Sequence, residues 1–215
     1  MKIELLSLAF LISAIIAIVF RQKDNIKMYT IFKPLTTSLI ILIALIIYYN
    51  HPSTYSTIMI AALIFSLIGD VFLINKKFFL QGLSSFLIAH VGFTISFTSL
   101  YGFNWNIIPL IFLILIGGVY YNYLRKDLKK YSISVLIYLA VVVVMNWQAI
   151  GLVLNNGEFI FIGIALGSIL FSFSDSIIAY IKFKKAFKIA EILILSTYWI
   201  AIFIFTIAGL YIDRV

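Results

Sequence analysis

The sequence predicts an all-α protein, a polytopic membrane helix bundle of about eight transmembrane helices, and two observations support this prediction. The first is composition. Of 215 residues, 64% are hydrophobic and only 11% are charged, and the mean hydropathy of +1.15 is far above that of a soluble globular domain. The second is spacing. Charged residues, Pro, Asn and Gly divide the chain into apolar segments, each near the roughly 20 residues that a helix needs to cross a bilayer core.

Eight apolar segments follow one another along the chain, and the connections between them are too short to hold a soluble domain. We therefore predict a single integral membrane domain over residues 1–215. The predicted spans lie at about 3–20, 29–49, 55–74, 79–101, 107–124, 131–153, 159–181 and 189–211. The chain contains no cysteine, which excludes disulfides and thiolate chemistry.

The basic residues are distributed unevenly between the two sides of the predicted bundle. Fourteen of the sixteen lie in the connections after spans 1, 3, 5 and 7, and only Lys2 and Arg214 lie on the other side. The fourteen are Arg21, Lys23, Lys27, Lys33, Lys76, Lys77, Arg125, Lys126, Lys129, Lys130, Lys182, Lys184, Lys185 and Lys188. Because cytoplasmic connections are rich in Lys and Arg, we predict that both termini are non-cytoplasmic, in a bacterial inner (cytoplasmic) membrane.

The net charge of +8 has the same origin. In a soluble protein such a charge would suggest nucleic-acid binding, but here the positive charges form short clusters between apolar spans. We therefore expect no nucleic-acid partner.

Two acids lie inside apolar spans in matching surroundings. Asp70 belongs to LIFSLIGDVFLINKKF at 63–78, and Asp175 belongs to GSILFSFSDSIIAYIKF at 167–183. Acids inside a membrane are rare and usually mark a functional site. Spans 3 and 7 run in the same direction, so both carboxyls lie near the cytoplasmic ends of their helices. We predict a catalytic pair of which one member keeps a proton for general acid catalysis; a lysine-paired or helix-bonding role remains the alternative.

His90 lies near the middle of span 4, with Gly82 and Phe86 on the same helical face. We predict that it joins the two acids as a third catalytic residue, although a lone buried histidine is also a common hydrogen-bonding group. A zinc site needs three or four ligands, and the second histidine, His51, falls in an external connection. We therefore predict no metal and no cofactor.

Six further residues are candidates for substrate binding: Lys33, Asn146, Trp147, Gln148, Ser174 and Tyr198. The two amides are costly within a bilayer unless they bond another helix or a polar ligand. Lys33 precedes a proline near the start of span 2, and we expect it at the cytoplasmic surface, either binding an anionic head group or serving only as a topology signal. Tyr198 lies mid-span, where packing is the alternative role. Ser174 adjoins Asp175 and offers it a hydroxyl.

These residues resemble the pattern of a known family, the YhhN-like membrane proteins. The resemblance covers nearly the whole chain in order. The residues that carry it are Lys33-Pro34-Leu35, Phe65-Ser66, Gly69-Asp70, Gly82, Phe86, Ala89-His90, Met145, Trp147, Ala149, Gly167, Leu170-Phe171, Ser174-Asp175, Ala179 and Thr197-Tyr198. The chain departs from the pattern at Gln148, where a basic residue is expected, and at Ile202, where a glutamine is expected.

The resemblance implies an eight-helix fold and lysoplasmalogenase activity, because the characterised animal members are lysoplasmalogenases. Such an enzyme hydrolyses the vinyl ether of a lysoplasmalogen to a fatty aldehyde and a glycerophospho-ethanolamine or -choline. The implied partner is a lysophospholipid or another membrane lipid. Enol ethers hydrolyse through protonation at carbon, which calls for a positioned acid, a nearby negative charge and a water; two buried carboxylates can provide the first two.

Two other functions remain open from the sequence. Paired membrane acids also serve as proton relays in transporters, which tend to have broken helices at mid-membrane. A non-catalytic lipid-binding, sensor or assembly protein is the third reading. The sequence leaves the oligomeric state undetermined.

The predicted topology is testable with reporter fusions. Reporters fused at Lys129 and Lys185 should be cytoplasmic, and one fused after Val215 should be external, because the positive-inside rule places the basic connections in the cytoplasm. A cytoplasmic reporter at the C-terminus would contradict the orientation and with it the position of both acids in the inner leaflet.

Overall fold

The computed structural model describes residues 2–212, and α-helices make up most of that range. The eight α-helices are α1 Lys2–Gln22, α2 Ile26–Asn50, α3 Thr54–Ile74, α4 Phe79–Tyr101, α5 Ile107–Leu128, α6 Ser132–Asn156, α7 Phe159–Phe183 and α8 Ala190–Ala208. Short 3-10 turns at Lys76–Phe78 and Lys129–Tyr131 precede α4 and α6. Arg214 and the C-terminal residue, on which part of the topology prediction rests, lie outside the described residues.

Seven helical segments between residues 2 and 212 are long and apolar enough to cross a membrane, and one of them contains two helices. That segment, residues 107–156, is 50 residues long. Lys129 has a φ of 48° and ends α5 there, after which α6 packs back against α5. The prediction of an all-α polytopic bundle is therefore confirmed.

Helix ends fall within about one turn of the predicted spans. The start of α2 differs in a way that affects the site. Asn25 caps α2 by accepting a hydrogen bond from the Met28 N–H, so the helix begins at Ile26 and Pro34 lies well inside it. Lys33 is consequently in the third turn of a helix and not at its entrance.

The connections after α1, α3, α5 and α7 lie at one end of the bundle, which we call the basic end. Arg21 at the end of α1 forms a 2.6 Å salt bridge with Glu191 at the start of α8. Asp127 near the end of α5 pairs with Lys184, just past α7; this hydrogen bond raises the pKa of the Lys184 ammonium. These two contacts place the ends of α1 and α5 at the level of the α7–α8 connection.

Helix α8 is central and α5 is peripheral. Helix α8 packs against α1, α2, α3 and α7, and Trp199 and Phe205 on it are almost fully buried. Helix α5 packs mainly on α6 and only lightly on α7. Between Ile107 and Leu128 its buried residues are three, Gly117, Leu124 and Leu128. A space therefore remains between α5 and the rest of the bundle.

Close packing of α3 on α4 depends on a glycine next to the first acid. A Cβ on Gly69 would lie 2.7 Å from the ring of Phe86, which is closer than non-bonded carbons approach. The missing side chain lets the Phe86 ring fill the space beside Asp70.

A carboxylate pair beside an apolar chamber

Asp70 is buried among donors from two other helices. Its side chain is 1% exposed, and the Lys33 Nζ on α2 lies 3.3 Å from Oδ1. The hydroxyls of Thr37 and Tyr198 donate to Oδ2 over 2.5 and 2.9 Å. The Trp199 indole N–H donates to the Thr37 oxygen over 3.1 Å, which leaves the Thr37 hydroxyl proton for Asp70. An acceptor-only carboxylate opposite an ammonium is the form that this set of donors suits.

Asp175 lies on α7 against α4 and α6. The Tyr138 hydroxyl donates to Oδ2 over 2.8 Å, and His90 Nε2 lies 3.1 Å from the same oxygen. The Asp175 side chain is 11% exposed and that of His90 is fully buried. The second acid is therefore held by a histidine and a phenol, without a lysine.

The other ring nitrogen of His90 fixes its protonation pattern. Nδ1 lies 2.6 Å from the Phe86 backbone carbonyl, and since a carbonyl only accepts, Nδ1 must carry a proton. A single further proton can then sit either on Nε2 or on Asp175. The contact between Nε2 and Oδ2 is too oblique for a hydrogen bond, so Nε2 is a buried nitrogen with no hydrogen-bond partner. Buried groups of this kind are uncommon and need an explanation.

Two cavities meet at Asp175. The larger, which we call the chamber, has a volume of about 640 Å³ and an almost wholly apolar lining from α4, α5, α6 and α7, with Leu73 from α3. The smaller cavity, of about 10 Å³, is lined by Lys33, Asp70, Ser174, Asp175 and Tyr198 among others. Asp175 lines both, whereas Asp70 lines only the smaller one. The two carboxyls thus line one small cavity, and one of them also faces a large apolar space.

The remaining predicted polar residues divide into two groups. Asn146 lines the chamber, where its amide donates to the Ser172 hydroxyl over 2.6 Å and accepts from Ser168 over 3.1 Å. Ser174 lines the small cavity, and its hydroxyl donates to the Ile194 carbonyl on α8. Both therefore lie next to the acids or in the space that Asp175 faces.

Trp147 and Gln148 are not brought to the carboxylates. The Trp147 indole N–H donates to the Asn106 carbonyl over 2.7 Å. The Gln148 amide accepts from the Asn104 N–H over 2.8 Å and donates to the carbonyl of the same residue. Both side chains therefore hold the α4–α5 connection at the end opposite the basic end. Ile202, the other departure from the family pattern, is fully buried in the core.

The expected surface position of Lys33 is wrong. Its side chain is 6% exposed and points at Asp70, because α2 begins earlier than expected and a buried ammonium needs an acid partner.

The sequence analysis did not identify two partners of the acids, Thr37 and Tyr138. Thr37 stands four residues after Lys33, on the same helical face, and that spacing was the available signal. Tyr138 had none beyond its mid-span position.

No group of three or more His, Cys, Asp or Glu side chains that could hold a metal ion occurs within residues 2–212. The two acids are surrounded by an ammonium, an imidazole, phenols and hydroxyls, which are groups that hold and move protons.

Fold and site together define an integral membrane protein of eight helices with a buried, hydrogen-bonded carboxylate pair beside an apolar chamber. The sequence model of the YhhN family matches residues 28–209, a range that contains every residue of the two acid clusters, and the chain belongs to that family.

Similar proteins carry a lysoplasmalogenase name. A Dictyostelium discoideum protein named lysoplasmalogenase homolog is 32% identical over 159 residues, which are 60% of this chain and 52% of that protein. Lysoplasmalogenase TMEM86A of Bos taurus is 31% identical over 163 residues, 71% of this chain and 64% of its own length. The human TMEM86A is 30% identical over 162 residues, 70% and 63%. The matches thus span between about half and two thirds of these relatives. No solved structure matches the chain.

Removal of Lys33 should reveal how the buried pair contributes to stability. Lys33→Met leaves the Asp70 carboxylate buried without its cation and should lower the free energy of unfolding by about 3–5 kcal/mol. The double variant Lys33→Met/Asp70→Asn removes both charges and should recover most of that loss. Thermal unfolding of the purified protein in detergent measures both.

Lys27→Met is the matched control, because Lys27 is on the same helix but exposed, and it should unfold like the unchanged protein. A Lys33→Met protein as stable as this control would show that Lys33 does not neutralise Asp70.

Proposed function

We propose that the chain is an intramembrane hydrolase that cleaves the vinyl ether bond of a lysoplasmalogen, releasing a fatty aldehyde and a glycerophospho-ethanolamine or -choline. The observation that carries the proposal is the position of Asp175, which lies between a large apolar chamber and a small cavity shared with Asp70. The names of the relatives support the same reaction. We further propose that the basic end faces the cytoplasm of a bacterial cell.

The chamber suits a single hydrocarbon chain. Its lining extends along α6 from Val135 through Tyr138, which is bonded to Asp175, to Ile150. The twelve-residue interval from Tyr138 to Ile150 is about 18 Å long at 1.5 Å per residue. One leaflet of a bilayer core is about 15 Å thick, half of the ~30 Å total. The alkenyl chain of a membrane lipid therefore fits between Asp175 and the far end of the chamber.

The proton for the reaction comes from the Asp175–His90 pair. Because the His90 Nδ1–H donates to the Phe86 carbonyl, the pair has one transferable proton, which is on the Asp175 carboxyl when the reaction starts. Asp175 delivers it to the vinyl carbon that becomes the aldehyde's C2, and the positive charge passes to the carbon next to the ether oxygen as an oxocarbenium ion. His90 Nε2 lies 3.1 Å from Oδ2 without a hydrogen bond to it, so a small rotation of the Asp175 carboxyl aligns the two groups when His90 takes part in the proton transfer.

Asp70 supplies the negative charge. Paired with Lys33 and bonded by two hydroxyls, it stays a carboxylate and stabilises the nearby cation through a low-dielectric medium. The small cavity between the acids is about the size of one water. A water there adds to the oxocarbenium carbon and returns a proton to the Asp175–His90 pair. This return restores the starting protonation of the enzyme. The hemiacetal then breaks its bond to the glycerol oxygen, and its hydroxyl proton passes to that oxygen, which gives the aldehyde and the glycerol hydroxyl.

Transport is less well supported than hydrolysis. Proton-coupled transporters place their substrate sites at helices that are broken near mid-membrane, whereas α3 and α7, which carry the two acids, are continuous helices. Non-catalytic lipid binding predicts the same chamber but no aldehyde, so the assay below separates it from the proposal.

The purified protein in detergent should release aldehyde from a lysoplasmalogen and no fatty acid from the matching ester lysophospholipid, because the acid protonates a carbon–carbon double bond that the ester lacks. Asp70→Asn, Asp175→Asn and His90→Gln should each lower aldehyde release, the two Asp variants by at least about 10²-fold.

Asp127→Asn is the control for loss of an acid, since Asp127 lies at the exposed basic end, and it should retain full activity. Near-normal turnover by both Asp→Asn variants at the site would mean that the two acids are structural. Bound lysoplasmalogen without aldehyde from the unchanged protein would favour the lipid-binding function.

Chain-length preference should change when the far end of the chamber is filled. Ile150→Trp replaces an aliphatic side chain with a bulky indole where the chamber ends. It should lower activity on long alkenyl chains far more than on short ones. The measurement is aldehyde release from substrates of graded chain length. Leu166→Trp, at an exposed position on α7 outside the chamber, should leave the preference unchanged. An equal loss of activity on all chain lengths would argue against the alkenyl chain lying in the far end of the chamber.

A further inference from the structure

The chamber extends to the basic end of the bundle. Its lining includes Phe79, the first residue of α4, and Phe183, the last residue of α7. Helix ends of membrane proteins lie near the interface with water. The eight-residue interval from Asp175 to Phe183 is about 12 Å at 1.5 Å per residue. One end of the chamber is therefore near the interface, about 12 Å along α7 from Asp175.

Three aromatic rings connect the segments that meet at this end. Phe79 contacts Tyr131 and Phe183 with ring centroids 6.0 Å apart in each case, and the Tyr131 and Phe183 rings are 5.7 Å apart. We call these three residues the aromatic rim. Each belongs to a lysine-rich segment: Lys76 and Lys77 precede the first ring, Lys129 and Lys130 the second, and Lys182 the third.

Lys182 contacts a ring of the chamber lining. Its Nζ lies 4.4 Å from the ring centroid of Phe79, a cation–π contact that holds the side chain over the rim. No carboxylate within residues 2–212 forms a salt bridge with Lys182, whereas Lys184, two residues on, is paired with Asp127. An ammonium has three N–H donors and no acceptor, and a contact with a ring face leaves donors available to an anion.

We propose that Lys182 and the aromatic rim form the subsite for the phosphate of a single-chain phospholipid. The inference rests on the proposed function, because it places the vinyl ether at Asp175, the glycerol in the roughly 12 Å between Asp175 and the rim, and the phosphate over Phe79. The subsite replaces Lys33 as the head-group residue, since Lys33 is buried and paired with Asp70. The neighbouring lysines add a positive field that attracts the same anion.

The test compares substrates with and without a phosphate. Lys182→Gln is assayed in phospholipid-free detergent on a lysoplasmalogen and on the 1-alkenylglycerol that lacks the phosphate. KM for the lysoplasmalogen should rise about fivefold, as expected for loss of one partly exposed charged contact, with kcat unchanged. Both constants for the alkenylglycerol should stay the same.

Lys185→Gln is the matched control, because it removes the same charge from an exposed position in the α7–α8 connection. It should leave both substrates unaffected. An equal KM rise in the two variants would indicate a general effect of net charge, and an equal rise on both substrates would indicate a packing role; either result overturns the subsite, as does no change at all.

A binding measurement keeps the subsite separate from the proposed reaction. A 1-alkyl lysophospholipid cannot be cleaved at its ether, and its affinity for the unchanged protein and for Lys182→Gln is measured by calorimetry in the same detergent. If Lys182→Gln binds the alkyl lipid more weakly, and the unchanged protein releases no aldehyde from a lysoplasmalogen, the subsite is supported and the hydrolase function is rejected. Equal binding, or none by either protein, would reject the subsite.

Discussion

The salt bridge between Lys33 and Asp70 is the constraint on which the rest of the site depends. Transferring two charges from water into the interior of a membrane protein costs several kcal/mol per ion, and their attraction compensates only when geometry and additional hydrogen bonds are good. Here the ammonium comes from α2, the carboxylate from α3 and a phenol from α8. These three helices can be assembled only in the arrangement that brings these groups together, so a local electrostatic need fixes the centre of the bundle.

The same constraint separates the two acids chemically. Asp70 is surrounded by donors and held as a carboxylate, whereas Asp175 has a histidine and a phenol and no cation. The Phe86 carbonyl accepts a hydrogen bond from His90 Nδ1 and so keeps a proton on that nitrogen, while Nε2 has no hydrogen bond. Asp70 is thus fully satisfied, whereas the histidine next to Asp175 keeps a buried nitrogen without a hydrogen bond. Such incomplete satisfaction is expected where a protein must act on a ligand and not only fold.

Local sequence patterns predicted the parts of this arrangement that depend on single helices. The apolar spans and the intramembrane acids Asp70 and Asp175 follow from composition and position, and all eight helices lie close to their predicted ranges. Partners between helices could not be obtained in this way, because Lys33 and Asp70 are 37 positions apart and nothing local indicates which lysine turns inward. The partner of Gln148 was hidden for the same reason, because its amide bonds the backbone of Asn104, 44 positions away.

The chamber was beyond prediction because it arises from a helix that packs poorly. Gly117 and Gly118 leave the middle of α5 without side chains, and Phe112 and Ile116 line the chamber while being 62% and 68% exposed. The wall between chamber and lipid is therefore a single helix with little burial of its own. In water such a helix would be destabilised, but in a bilayer its apolar face is already solvated by lipid tails, so a loosely attached α5 costs little. A membrane protein can thus retain a large apolar cavity next to a rigid charged centre. A lipid chain inside the cavity contacts α5 in the same way as the lipid tails on its outer face.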